Sequence, residues 1–282
     1  MKSNLEVKKN SNKIIETMEN ERVKFEVFER ESLKGTKSVE EAAQLYFIEK
    51  ANIKLRSVKI TVDNSSIVLE PGALHYSKGD FEIKSNAGGV AGFGKKLFTS
   101  AVTGENIYKP VYKGTGEIYL EPTFGHFALI ELENEEIVVD DGVFYACEST
   151  IDVGVSRMKN LSSAVLGNEG LFQVKLSGTG IVLLEIPVPS EEIEEFELNN
   201  ETLKVDGNFV ILRDESIEFT VQKATKNFFS SATSGEGFLN VYKGKGKVWL
   251  LPTEKIYDRL KQSGLSNQTD PGGSSNTKTK TK

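Results

Sequence analysis

The chain has 282 residues, a net charge of -6, 38% hydrophobic residues, 9% aromatic residues and a single cysteine. That composition is ordinary for a globular protein and excludes an intrachain disulfide or a cysteine-based metal cluster. The residues from Lys261 onward carry +3, which leaves -9 on the rest and argues against nonspecific nucleic-acid binding.

From the N-terminus, residues 1 to about 22 are polar and charged and predict a loose helix or no fixed structure. They lack the apolar stretch of a secretory signal, and no later apolar run reaches the 18 or so residues a spanning helix needs. A cytoplasmic location is expected, with membrane association through three surface segments. Residues 24–29 (Lys24 to Glu29) alternate apolar and polar and predict an edge strand. Ser38, with Glu41 three residues on, forms a capping box that opens a short helix over 38–51, its apolar side packed on the β body. Residues 1–53 thus form an N-terminal extension.

Residues 54–260 form one domain in which a single unit is written three times, over about 54–123, 124–189 and 190–253. Each unit begins with a strand that runs into a turn: Pro71-Gly72, Asp141-Gly142 and Gly207-Asn208. A second strand comes next, from Ala73, Val143 and Phe209, and then a third, at Phe81-Glu82-Ile83, Ile151-Asp152-Val153 and Ile217-Glu218-Phe219. After it stand a basic and apolar segment and then a Glu beside glycine. Last is a Gly-x-Gly read as a tight hairpin turn, at Gly114 and Gly116, Gly178 and Gly180, Gly244 and Gly246. These glycine pairs lie 64 and then 66 residues apart, a period that marks one supersecondary unit repeated. The expected fold is all-β: three pseudo-symmetric repeats forming a wound antiparallel body, like a double-stranded β-helix or barrel, with one short N-terminal helix. Residues 261–282, rich in Ser, Thr, Gly and Lys, predict a disordered tail.

Catalytic motifs are scarce. Gly89 to Lys95 approaches a phosphate-binding loop, but Lys96 stands where Ser or Thr would hold magnesium, and Gly104 arrives too soon for the required helix. Ser156-Arg157-Met158-Lys159 has no companion motif. Glu191 to Glu197 reads as a solvated edge between units two and three, and Cys147 as a packed thiol. His75 and His126 have no counterparts in the other units. No catalytic, cofactor or metal residue is assigned. The segments that recur are Lys95, Lys96, Leu97 and Phe98; Arg157, Met158, Lys159 and Leu161; Lys226, Phe228 and Phe229. Basic residues beside apolar ones in three equivalent places suit an anionic membrane surface or a protein partner.

Tyr112 to Phe127, Val205 to Phe209, Thr233 to Gly237 and Gly246 to Thr253, with the glycines of 88–94 and Thr103-Gly104-Glu105, resemble the altered inheritance of mitochondria protein twenty-four family over about residues 24–260. The resemblance implies a fold similar to the tryptophan-RNA-binding attenuator protein, with no agreed catalytic residues. Its mitochondrial member is associated with inner-membrane organisation and respiratory assembly, and its bacterial members look like uncharacterised cytoplasmic proteins, of which this chain is the type. The sequence therefore points to a non-enzymatic scaffold or adaptor, membrane-peripheral through the three segments, with homo-oligomers permitted and no nucleic-acid partner. The alternative is a small-ligand or metal-binding protein, or an enzyme, with one pocket near His75 or His126.

Overall fold

Alternation of apolar and polar residues makes half-buried strands here, and unbroken apolar runs make strands buried on both faces. A computed structural model describes residues 12–84, 109–140, 142–156, 173–223 and 238–263. It contains thirteen strands in one antiparallel sheet and two short helices. Strands β1 (Asn12–Glu19) and β2 (Val23–Arg30) precede helix α1 (Val39–Lys50). Unit one contains β3 (Leu55–Leu69), β4 (Leu74–Lys84) and β5 (Val111–Leu120). Unit two contains β6 (His126–Val139), β7 (Phe144–Glu148), β8 (Ile151–Ser156) and β9 (Gln173–Ile186). Unit three contains β10 (Glu194–Val205), β11 (Val210–Asp214), β12 (Glu218–Lys223) and β13 (Phe238–Leu250), and helix α2 (Glu254–Ser263) comes after it.

Each unit is one antiparallel ladder, of three strands in unit one and four in units two and three. Its last strand lies between its first strand and its middle strand: β5 between β3 and β4, β9 between β6 and β7 with β8, β13 between β10 and β11 with β12. The predicted turns stand, with Gly72, Gly142 and Gly207 at positive φ. In every first strand one extra residue bulges out at an asparagine in the left-handed region: Asn64 (φ 44°), Asn134 (φ 59°) and Asn200 (φ 59°). Asparagine tolerates that conformation better than other side chains that carry a Cβ.

Units are joined by one kind of seam. The end of β3 pairs with β7 of unit two (Ile67 with Glu148, Val68 with Cys147, Leu69 with Ala146). The end of β6 pairs with β11 of unit three (Ile137 with Asp214, Val138 with Arg213, Val139 with Leu212). The sheet is antiparallel throughout, as expected; it runs from β1 to β10 and is not closed among the described residues.

Strand β9 shows how the core is built. Its Ile181 and Leu183 enter one apolar cluster with β2, β3 and β5, while Val182 and Leu184 enter a second on the opposite face. Burial on both faces is why this stretch reads as a continuous apolar run rather than an alternation. A third cluster, around Leu198, Tyr242 and Val248, belongs to unit three alone.

Several sequence expectations are corrected here. Asn12 to Glu19 form strand β1, because pairing with β2 supplies backbone partners that a polar segment cannot provide for itself. Strand β2 is not an edge: it lies between β1 and β3, and Phe25 is fully buried. Helix α1 is capped as predicted, with the Ser38 side chain accepting the Glu41 N–H, yet it buries no residue, and Phe47 is 68% exposed. Its apolar residues fall around much of the helix instead of on one stripe, so only Leu45 and Ile48 are half-buried, beside a small cavity they share with Leu33, Leu55 and Phe124. Residues 254–263 are helical, so helix α2 runs into the start of the expected tail; residues 264–282 lie outside the described part.

Candidate functional site

The long segments that join the middle and last strands of the three units spring from the same hairpin. Strand β4 leaves at Lys84, paired with Val111 of β5; β8 leaves at Ser156, paired with Gln173 of β9; β12 leaves at Lys223, paired with Phe238 of β13. Each insertion therefore bridges the outer end of the same hairpin. The basic and apolar residues singled out in the sequence, Lys95 to Phe98, Arg157 to Leu161 and Lys226 to Phe229, fall within these insertions and lie outside the described residues. So do the near phosphate-binding loop and the Glu beside glycine in each unit.

The stems themselves are described. Ile83 and Phe238 are exposed at their ends. On the returning side of the first insertion, the Lys109 ammonium contacts the Glu70 carboxylate and lies 5.1 Å from the centre of the Phe144 ring, which pins the start of β5.

The Gly-x-Gly motifs are not hairpin turns. Each lies inside one continuous strand, β5, β9 or β13, where the middle strand of the unit crosses close by. A Cβ on Gly178 would sit 2.5 Å from the Thr150 carbonyl oxygen, and one on Gly180 would sit 2.7 Å from the Thr150 hydroxyl. Gly114 and Gly116 meet the backbone of β4 in the same way, a Cβ on Gly244 would lie 3.1 Å from the Ser216 carbonyl oxygen, and Gly246 faces the Asp214 carboxylate. Glycine is required here for close backbone approach and for the positive φ at Gly116, Gly178, Gly180, Gly244 and Gly246. In units one and two the residue between the glycines, Thr115 or Thr179, accepts the N–H of the bulged Asn64 or Asn134 at 2.9 Å. Lys245 replaces it in unit three.

At the same bend the middle strand of units two and three ends in an acid. Glu148 accepts the Ile181 N–H at 2.8 Å, and Asp214 accepts the Lys247 N–H at 2.8 Å. Unit one has Lys78 there, ion-paired with Glu117 at 3.5 Å, and its middle strand continues unbroken through Gly79. The second and third strands expected in unit one are thus a single strand, β4.

The two histidines have separate surroundings. His75, on β4, is partly exposed; its Nδ1 lies 2.9 Å from the Glu121 carboxylate, and its ring leans on Tyr76, which stacks on Tyr119. His126, at the start of β6, is held below the usual histidine range, first by burial and then by the Arg56 cation, against the opposing pull of Glu191, Glu192 and Glu29. Arg56 is fixed between the Glu29 carboxylate at 3.2 Å and the Gly125 carbonyl at 3.1 Å. Burial also pushes the Glu16 carboxyl up, with Glu191 adding to it. This polar cluster gathers β1, β2, β3, β6 and the 190–192 turn, and no sequence motif announces it. Glu192 in that turn also accepts hydrogen bonds from the hydroxyls of Thr253 and of Tyr257 on α2. Among the described residues, no group of three or more His, Cys, Asp or Glu side chains is arranged to hold a metal ion. Burial pushes the tyrosine hydroxyl of Tyr145 up to about 12 and raises the fully buried Cys147 thiol further, so that sulfur packs rather than reacts.

The repeat has relatives among known proteins. The pattern of the family described as "Mitochondrial biogenesis AIM24" matches residues 48–253, from the end of α1 to the start of α2. This chain belongs to the AIM24 family. A bacterial relative, the uncharacterized protein M6_Spy0233 of Streptococcus pyogenes serotype M6, is 25% identical over 207 residues, which are 70% of this chain and 82% of the relative. The crystal structure of protein SPYM3_0169 from Streptococcus pyogenes superposes with a TM-score of 0.53 at 20% identity, covering 74% of this chain and 94% of that one. At that identity it is similar in fold alone. Among the described residues, no helix of this AIM24 protein is long and apolar enough to cross a membrane.

Proposed function

We propose that this AIM24 protein is a non-enzymatic scaffold or adaptor of the cytoplasm. Its three-unit body winds the insertions into a shared display that engages an anionic membrane surface. One observation carries the reading: the three insertions bearing Lys95 and Lys96, Arg157 and Lys159, and Lys226 leave the sheet at equivalent hairpin ends, Lys84 with Val111, Ser156 with Gln173 and Lys223 with Phe238. A hairpin end is the point where added chain leaves the ladder undisturbed. Recurrence of cations beside Leu97, Phe98, Leu161, Phe228 and Phe229 at such points favours a surface that combines negative charge with apolar depth.

Flotation with vesicles containing anionic lipid tests this. Wild type should float, and Lys95→Glu with Lys96→Glu should float less, with the difference shrinking at high salt as screened charges require. Equal flotation of variant and wild type, or flotation of neither, removes the membrane reading; retained capture of a protein partner by the unfloated chain would move the display to that partner.

A further inference from the structure

The two internal seams are alike in register, and together they predict a third that the described residues do not make within one chain. In each, the end of a first strand pairs with the start of the next unit's middle strand. In the first seam the Glu70 N–H donates to the Tyr145 carbonyl at 2.8 Å and the Ser149 N–H to the Ser66 carbonyl at 3.0 Å. In the second the Asp140 N–H donates to the Ile211 carbonyl and the Glu215 N–H to the Glu136 carbonyl, both at 2.9 Å.

Two matching edges remain. Unit one begins its middle strand at β4, which pairs with β5 alone, and unit three ends its first strand at β10, which pairs with β13 alone, among the described residues. The shared bulges align Leu203, Lys204 and Val205 with Ile67, Val68 and Leu69, and align Tyr76, Ser77 and Lys78 with Ala146, Cys147 and Glu148. At the seams, Ala146 and Leu212 are 0% and 5% exposed; Tyr76, at the same position on the open edge, is 52% exposed.

We propose that these edges pair between two copies of this chain, unit three of one on unit one of the next, in the register the internal seams already use. Val205 then faces Tyr76, Lys204 faces Ser77 and Leu203 faces Lys78. The Asp206 N–H donates to the His75 carbonyl, and the Gly79 N–H donates to the Thr202 carbonyl. The chain supplies both halves of the contact, which is why a second copy is the occupant. Such a contact is head-to-tail, so it builds a ring or an open chain of subunits rather than a two-fold dimer.

Leu203 and Lys78 occupy the position of Ile67 and Glu148, a pair without mutual backbone hydrogen bonds, where Cα atoms lie about 4.5 Å apart and a disulfide fits. Chains carrying only Lys78→Cys and chains carrying only Leu203→Cys, mixed and mildly oxidised, should give a cross-linked dimer. The chain carrying both should give a ladder of cross-linked species. Lys204 has its backbone N–H on the open side, so adding Lys204→Pro to the Leu203→Cys chain should abolish the dimer while leaving the melting temperature of the uncross-linked chain close to that of Leu203→Cys alone. No dimer in the mixture overturns the proposal. So does a double variant that cross-links only within one chain, or a dimer that Lys204→Pro leaves intact.

Discussion

Gly178 and Gly154 lie on neighbouring strands, and their neighbours predict opposite responses to the same methyl group. At Gly178 (φ +136°) the added Cβ meets the Thr150 carbonyl oxygen, whereas at Gly154 the nearest atom is 4.0 Å away. Gly178→Ala should destabilise the fold by about 1–3 kcal/mol through backbone strain. Gly154→Ala should be neutral or stabilise by about 0.4–1 kcal/mol by restricting the unfolded chain. Thermal melts of the two variants decide; equal melting temperatures would mean that the bend does not need its glycine. His126 gives a pH signature at the same scale. Its folded pKa lies below the ordinary 6.5, so the folded state disfavours the proton. The associated stability is present above about pH 6.5 and is lost as the pH falls toward the lowered value. His126→Gln should flatten that part of the decline in melting temperature between neutral and mildly acidic pH. Glu16 titrates in both proteins, so the difference between the two curves reports the imidazole; superimposable curves would refute the assignment.

Beyond the ladders and apolar clusters, a few buried polar contacts tie elements to one another. The turn between β1 and β2 places Asn20, whose side-chain oxygen accepts the Arg22 and Val23 N–H groups, so that its amide donates to Glu148 at 2.9 Å. Glu148 thus holds the N-terminal hairpin, the bend of β9 and the first seam together, with 6% of its surface exposed. Glu148→Ala leaves the Ile181 N–H without its acceptor and should cost about 1–3 kcal/mol. Asp214→Ala, at the equivalent but more exposed position, should cost less. Urea unfolding of the two variants measures both, and an equal loss would place the contribution in the bend alone rather than in the hairpin that Asn20 brings to it. Helix α1 is the contrast: capping gives about 1 kcal/mol at its start, and no buried side chain adds the roughly 1.5–3 kcal/mol that each core residue contributes.

Across the whole molecule, what the sequence revealed was local and what it hid was not. The turns at Gly72 and Gly142 and the Ser38 cap act within a few residues, and all three appear where the pattern places them. The Gly-x-Gly pairs misled because glycine serves a tight turn and a close strand crossing equally well. Only the arrival of Lys78, Thr150 or Ser216, far away along the chain, distinguishes the two. Strand β1 escaped notice because its apolar residues are few and its stability comes from pairing with β2. The surroundings of His126 escaped it for the same reason: Arg56, Glu16 and Glu191 belong to separate elements and meet only in the fold.

The position of the insertions has a consequence for how such a protein can change. Chain added at the tip of a paired strand shifts no residue from one sheet face to the other, whereas a single residue added within β5, β9 or β13 would invert every side chain beyond it. Between register-equivalent pairs, 26 residues separate Lys84 from Val111, while 20 separate Gly154 from Lys175 and 20 separate Thr220 from Val241, so unit one already carries a longer connection on stems that keep one register. The frame thus leaves three sites where new recognition can be written without rewriting the fold, and each can be revised while the other two stay as they are.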